Sequence, residues 1–479
     1  MDALCDKDAV ELRRLIGRKE ISPVELLASC HARIEAVNPA VNAIVALDLA
    51  GAEEAARAAE RAVLRGDALG PLHGLPLGVK DMSETAGLRT TFGSLLFEHH
   101  VPARDEAIVA RMRAAGAVIL GKTNTPEFAA GANTRNRVYG ATGNPFDPAL
   151  TASGSSGGSA AAVALGMVPL ASGSDMGGSL RTPAAFCGVV GFRPSAGIVP
   201  YERRVSGWSP LSVEGPMARK VADAALLLSA MAGSDAEDPL SGPVDAPALA
   251  ALPEIDLSRL KVAFSEDLGF APIDDEIRLV FQSRCGLFAD LFGSSAERDP
   301  DLGDADRIFS VLRAESFLGA RLENYRNDRD RLGMPVIANV EQALNYSYTD
   351  RVEAQTAQTG LYRRFQSLFR EFDVLICPAA PISPFPHAEW APTAINGQAL
   401  AHYYHWIAIN YGLTLTGHPV VAIPCGTDHK GLPFGLQVVG PRRGDRFLLG
   451  VAAALERAFA DRPALRRPIP DLSRLEKGA

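Results

Sequence analysis

TASGSSGGSAAAVALGMVPLASGSDMGGSLRTPAAFCGVVGFR, residues 151–193, carries two glycine-rich loops that each present serine: GSSGG at 154–158 and MGGS at 176–179. Between them an alanine-rich run from about 158 reads as a helix closed near Gly166. VPLAS at 168–172 then reads as a short buried strand. Glycine is costly to order and is placed where backbone must approach closely or take φ > 0. Two such loops at one sheet edge can aim backbone N–H groups at a developing negative charge, a layout for nucleophilic chemistry.

Outward from this block the texture repeats. PLGVK at 76–80, AVILGK at 117–122, GVVGF at 188–192 and KVAFS at 261–265 read as buried strands, as do DVLIC at 373–377, VVAIP at 420–424 and FGLQVVG at 434–440. Helical segments separate them. Ser22-Pro23-Val24-Glu25 combines a capping box with proline at N1 and predicts a helix running towards Val37. Asp48 to Arg65 predicts a second helix, and 105–115, 274–292, 303–326 and 339–371 predict others. The stretch 233–252, rich in Asp, Pro and Ala, reads as a surface connection. Alternation of strand and helix predicts one large α/β domain.

Composition narrows the function classes. The chain has 479 residues, 47% apolar and 22% charged, ordinary values for a globular protein. A net charge of −8 argues against a nucleic-acid partner, which needs clustered Lys and Arg. No apolar run is long enough to span a bilayer, and MDALCDKDAV lacks a signal peptide's apolar core. Cysteines 5, 30, 187, 285, 377 and 425 are scattered, with no CxxC pair and no metal-like spacing, and read as reduced thiols. The expectation is a soluble cytoplasmic protein that uses no metal and no cofactor.

Lys80 ends an apolar run, so it is expected at the C-terminal edge of a strand, where α/β folds place their sites. An arbitrary lysine is usually a solvated surface group. Here Pro76-Leu77-Gly78-Val79 bury the approach, and burial lowers an ammonium pKa towards neutrality, making a general base. Ser155 and Ser156 lie in the first loop and Ser179 in the second. Loop or N-cap roles explain Ser153 and Ser159 well. Ser179 follows two glycines and precedes Leu180-Arg181, a turn entering a helix whose N–H groups can converge on an oxyanion. Residues 154–158 also satisfy G-x-S-x-G, the nucleophile elbow centred on Ser156. That motif needs an apolar strand before it, and NPFDPALTAS at 144–153 shows no strand pattern. Histidines 387, 402, 405, 418 and 429 would be available to such a site.

PLGVKD at 76–81, GNPFDP at 143–148, the 153–193 block, GPMAR at 215–219, HPVVAIPCG at 418–426 and GLPFGLQVVGP at 431–441 together resemble the amidase signature family over nearly the full length. The spacings suit the family pattern: 75 residues from Lys80 to Ser155 and 24 from Ser155 to Ser179. The resemblance implies one domain over 1–479 with a central mixed, twisted β-sheet flanked by helices. Its parts would be an N-terminal helical part at 1–70, a catalytic core at 71–220, and the remaining sheet, helices and pocket elements at 221–479. It implies Ser179 as nucleophile, Ser155 as bridging serine behind a cis Gly154–Ser155 peptide, and Lys80 as terminal base. The N–H groups of Met176, Gly177, Gly178 and Ser179 would hold the oxyanion, with Phe128 and Ala129 near the acyl group. Ser156 is expected to hydrogen-bond within its loop, and Asp175 and Arg181 to hold the nucleophile turn. Met176 departs from the usual Thr or Ile; only its backbone is needed there, so the pocket wall is what differs.

The implied reaction is hydrolysis of a small-molecule carboxylic amide through a seryl acyl-enzyme. The alternative is the amidase-like subunit of a glutamyl-tRNA(Gln) amidotransferase; SPLSVEGPMAR at 209–219 resembles the stand-alone enzymes more. HYYHWIAINYG at 402–412 is unusually aromatic and reads either as helix packing or as a pocket wall for aryl or bulky groups. Aryl amides and anilides are therefore the expected substrates, with esters and carbamates as side substrates. Homodimerisation is an expectation of the family alone.

Overall fold

In the computed structural model, which describes residues 3–476, eleven strands pair into one mixed sheet flanked by helices. They are β1 (Ile44–Leu47), β2 (Pro76–Lys80), β3 (Val118–Thr123), β4 (Leu170–Asp175), β5 (Val190–Arg193), β6 (Val213–Ala218), β7 (Lys261–Phe264), β8 (Ser294–Glu297), β9 (Val374–Pro378), β10 (Val420–Thr427) and β11 (Pro433–Val439). Their order across the sheet is β1-β3-β2-β4-β6-β5-β10-β11-β9-β7-β8. β3, β2 and β4 run parallel, as do β9, β7 and β8. The strands between β4 and β9 pair antiparallel, and β1 closes its edge antiparallel to β3. Among the described residues no helix is long and apolar enough to cross a membrane.

The strands that apolar runs announced are present with ends shifted by up to three residues. Three others were not expected: β1, whose run IVAL is short and lies between two helices, and β6 and β8, which carry no such signal. β6 holds Gly215 and Pro216 in mid-sheet, residues that normally argue against a central strand. Its pairing to β5 is confined to Met217 and Ala218, so the proline sits where one side of the ladder is open. β8 is exposed along its whole length, a polar edge strand. β4 continues three residues beyond the apolar run to Asp175, because Gly173, Ser174 and Asp175 pair with Gly215, Glu214 and Val213. Ladder hydrogen bonds, not hydrophobicity, extend it. The segment before the first serine loop is also a strand, Asp147–Thr151, but it pairs with Gly143–Asn144 outside the central sheet.

Helix boundaries follow their caps. Ser22 and Glu25 form the capping box, and the helix runs Pro23–Val41. Asp48 accepts from the Gly51 N–H and starts Leu49–Arg65. The expected single helix over 339–371 is two, Met334–Leu344 and Tyr348–Leu368, because Ser347 and Asp350 make a second capping box inside it. Parallel β2 and β4 end at Lys80 and Asp175, so the second serine loop opens at the sheet edge that holds Lys80, and hydrogen bonds to Lys80 and Ser179 bring the first loop to it. A second, smaller apolar cluster of Phe92, Phe128, Phe317, Leu332 and Val336 stands apart from the main core.

Candidate active site

Lys80 is fully buried, and its Nζ lies 2.7 Å from Ser155 Oγ, 2.8 Å from Ser174 Oγ and 3.0 Å from Ser156 Oγ. Burial pushes its ammonium down to about 7, against the opposing charges of Glu214 and Asp175. The Gly154–Ser155 peptide is cis. A side chain at Gly154 would be tight, since a Cβ would sit 3.0 Å from the Ala132 carbonyl carbon and the Asn133 nitrogen and would push on that backbone. The two loops are tied together where the Ser156 N–H donates to the Ser179 carbonyl at 3.2 Å. Contrary to expectation, the Ser156 hydroxyl does not bond within its own loop; it meets Lys80 and the Ser174 backbone. Ser153 and Ser159 cap nothing. Their hydroxyls donate to the carbonyls of Ala132 and Ser172, holding loop and helix against their neighbours.

Ser174 carries no motif signal. Its hydroxyl reaches Lys80 because β4 is longer than its apolar run. Opposite it in the ladder stands Glu214, buried, with one carboxyl oxygen unpartnered. Burial and then the neighbouring Glu106 push the Glu214 carboxyl well above the usual range.

The turn leading to Ser179 is built around Asp175. Its carboxylate accepts from the Gly178 and Leu180 N–H groups at 3.0 Å each and from Arg181 Nε and Nη2 at 3.0 and 2.9 Å. Arg193, to which the sequence assigned no role, reaches the same carboxylate at 3.1 Å. Burial alone would raise this carboxyl, but Arg181 and Arg193 hold it well below the usual range. Arg181 also donates to the Asn410 carbonyl, Gln437 and Thr414, which anchors the turn to β11 and to the helix Ala408–Thr416. Asp175→Asn removes the one negative charge facing two buried guanidiniums. Breaking such a pair costs about 3–5 kcal/mol. The urea midpoint of this variant is expected to fall accordingly, and an unchanged midpoint would rule this anchoring role out.

One oxyanion assignment needs correcting. The Gly178 N–H is already taken by Asp175, and Gly178 does not line the cavity. Its glycine is required by conformation: φ is +124°, and a Cβ would lie 2.6 Å from that of Asn410. Met176, Gly177 and Ser179 do line the cavity, together with Ser155, Ser174, Phe128 and Ala129. Ser156 is not part of that lining. The cavity holds about 180 Å³, somewhat more than the roughly 150 Å³ of an apolar cavity that accepts benzene. Its walls add Tyr201, Phe309, Phe317, Tyr404 and Ile407. From the aromatic segment 402–412, Tyr404 and Ile407 face the cavity. Trp406 packs in the core against Phe186 and Phe385, and Tyr411 stacks on Phe309 at 4.4 Å. Both readings of that segment hold, for different residues.

The nucleophile-elbow alternative loses its geometry. The strand before Ser156 is not part of the central sheet, and among the described residues no histidine lines the cavity. Lys122, at the same edge on β3, is also buried and pushed down by burial to about 8. It donates to the Ser83 carbonyl and to Thr85 rather than to either serine loop.

Fold and site together define an α/β protein that gathers a buried lysine and seryl hydroxyls beside an aromatic-walled cavity. The family model described as Amidase matches residues 25–449. The chain belongs to that family, the amidase signature hydrolases. It is 33% identical over 458 residues to an acylamidase of Rhodococcus erythropolis, covering 95% of this chain and 96% of that protein. It is 36% identical over 522 residues to a glutamyl-tRNA(Gln) amidotransferase subunit from Acidothermus cellulolyticus, covering 100% of both. A solved bacterial aryl acylamidase of the amidase signature family superposes with a TM-score of 0.87 at 29% identity, over 99% of each chain.

Proposed function

We propose that this chain is a stand-alone amidase that hydrolyses aryl or bulky amides, with Ser179 as nucleophile, Ser155 as bridge and Lys80 as base. The observation that carries the reading is the 2.7 Å contact between the buried Lys80 Nζ and Ser155 Oγ beside a cavity that Ser179 also lines. Neutral Lys80 accepts the Ser155 proton while Ser155 accepts that of Ser179. Ser179 Oγ attacks the amide carbon, and the N–H groups of Met176, Gly177 and Ser179 stabilise the tetrahedral oxyanion. Ser155 then returns a proton to the leaving nitrogen, the C–N bond breaks, and an acyl ester remains on Ser179. Water attacks that ester with the relay acting as base again, releasing the carboxylate. Esters and carbamates fit the same chemistry as side substrates.

The amidotransferase reading has the Acidothermus likeness in its favour. Glutamine, however, presents an α-ammonium that needs a carboxylate. The carboxylate on the cavity lining is Asp175, already held by Arg181 and Arg193. The purified chain alone is expected to hydrolyse benzanilide and to leave glutamine intact, measured by aniline and ammonia release. Glutaminase activity without anilide hydrolysis would reverse the choice.

A further inference from the structure

The cavity wall carries four arginines, at 203, 204, 313 and 321. Two are neutralised locally: Arg203 pairs with Glu84 and Arg204 with Asp238. The other two have no carboxylate within ion-pair distance among the described residues. Arg313 donates to Asn339 and to the Tyr403 hydroxyl, and lies 4.3 Å from the Tyr404 ring centre. Arg321 is the less committed. Its guanidinium lies 3.7 Å over the Phe128 ring, and its hydrogen bond to a side chain is a 3.5 Å contact with Asn324. A cation taken partly out of water without a counter-charge is expensive, and stacking on an aromatic face offsets only part of that.

We propose that Arg321, lying against Phe128, is the subsite for a carboxylate on the substrate, so that the preferred substrate is an aromatic amide bearing one negative charge. This rests on the amidase reading above and names the substrate class it takes. Phe128 lines the same cavity as Ser155 and Ser179, so a group bound on Arg321 belongs to the molecule whose amide reaches the nucleophile turn. The planar guanidinium keeps its donors in a fork that matches a carboxylate. Burial pushes Arg321 down to about 10, with Tyr201 and Glu127 opposing, so it remains charged at neutral pH. The Glu127 carboxylate is itself engaged by Ser94 and the Gly333 N–H. An ammonium on the substrate would meet this positive wall unpaired, which separates the class from free amino acid amides.

Benzanilide is to be compared with 4-(benzoylamino)benzoate and 4-(phenylcarbamoyl)benzoate, which carry the carboxylate on the amine and the acyl side. At least one carboxylated anilide is expected to exceed benzanilide tenfold or more in kcat/KM. Arg321→Met is expected to collapse that ratio by at least tenfold, with Arg321→Lys retaining part of it. Binding of the same carboxylated anilide to Ser179→Ala enzyme, by calorimetry, is expected to weaken at least tenfold when Arg321→Met is added. A ratio at or below one for both isomers, or a ratio and affinity unmoved by Arg321→Met, would overturn the subsite. If no anilide is turned over while the calorimetric loss is seen, the amidase reading fails and the subsite stands.

Discussion

Ser179→Ala is expected to lower kcat/KM for anilide hydrolysis by at least about ten-thousandfold, because no other hydroxyl is placed to replace the nucleophile. Of the serines that line the cavity, Ser155, Ser174 and Ser179 lie on the first glycine loop, at the end of β4 and on the nucleophile turn. Ser155 and Ser174 both lie within hydrogen-bond reach of Lys80, behind the reacting edge. Ser179 follows Gly177 and Gly178 on the turn that Asp175 rigidifies, next to the N–H groups available to an oxyanion. Ser156→Ala, which removes a Lys80 contact from outside the cavity lining, is expected to cost far less, about tenfold. Steady-state kinetics on folded variants, checked by circular dichroism, reads both. Full activity in Ser179→Ala with loss in Ser156→Ala would restore the nucleophile-elbow reading.

Lys80→Met is expected to lower kcat/KM by about a thousandfold or more, the range for removing a positioned general base. Lys80→Arg is expected not to rescue it, since a guanidinium stays protonated at any working pH. In the wild type, kcat/KM is expected to fall about tenfold per unit as pH drops below about 7, where the buried amine takes up its proton. Stability carries the same signature with a fixed sign. Lys80 titrates near 7 when folded and near 10.5 when unfolded, so between those values the unfolded chain holds the extra proton. The penalty for burying Lys80 is in full force below pH 7 and fades as pH rises towards 10.5. Lys80→Met is expected to remove that rise in stability across the window, measured as urea midpoints at pH 7 and 9. A wild-type rate flat from pH 5.5 to 8 would exclude Lys80 as the base.

What the chain disclosed before folding depended on whether a residue's surroundings were local. Lys80, Ser155 and Ser179 sit in short motifs, strand end or glycine loop, whose geometry is set by a few adjacent residues. The eight strands with apolar runs were legible for the same reason. Ser174 was not, because β4 outlasts its apolar run only through pairing with β6, itself hidden by Gly215 and Pro216. Arg193 and Arg321 were equally silent. One reaches Asp175 from the far end of the 151–193 block, and the other reaches Phe128 across 193 residues of chain. Lys122 shows what the fold adds. By sequence it is as plausible a strand-end lysine as Lys80, and only the neighbouring Ser83 and Thr85 divert it. Gly178 differs in detail: the turn is legible in the sequence, but not that Asp175 consumes one of its N–H groups.

Locating the covalent intermediate decides the mechanism. Enzyme quenched in acid during turnover of p-nitrophenyl benzoate, digested and sequenced by mass spectrometry, is expected to carry a benzoyl group on Ser179, absent in Ser179→Ala. A benzoyl group on Ser155 or Ser156, or turnover with no covalent adduct and no burst of p-nitrophenol, would contradict the assignment of Ser179 as the nucleophile.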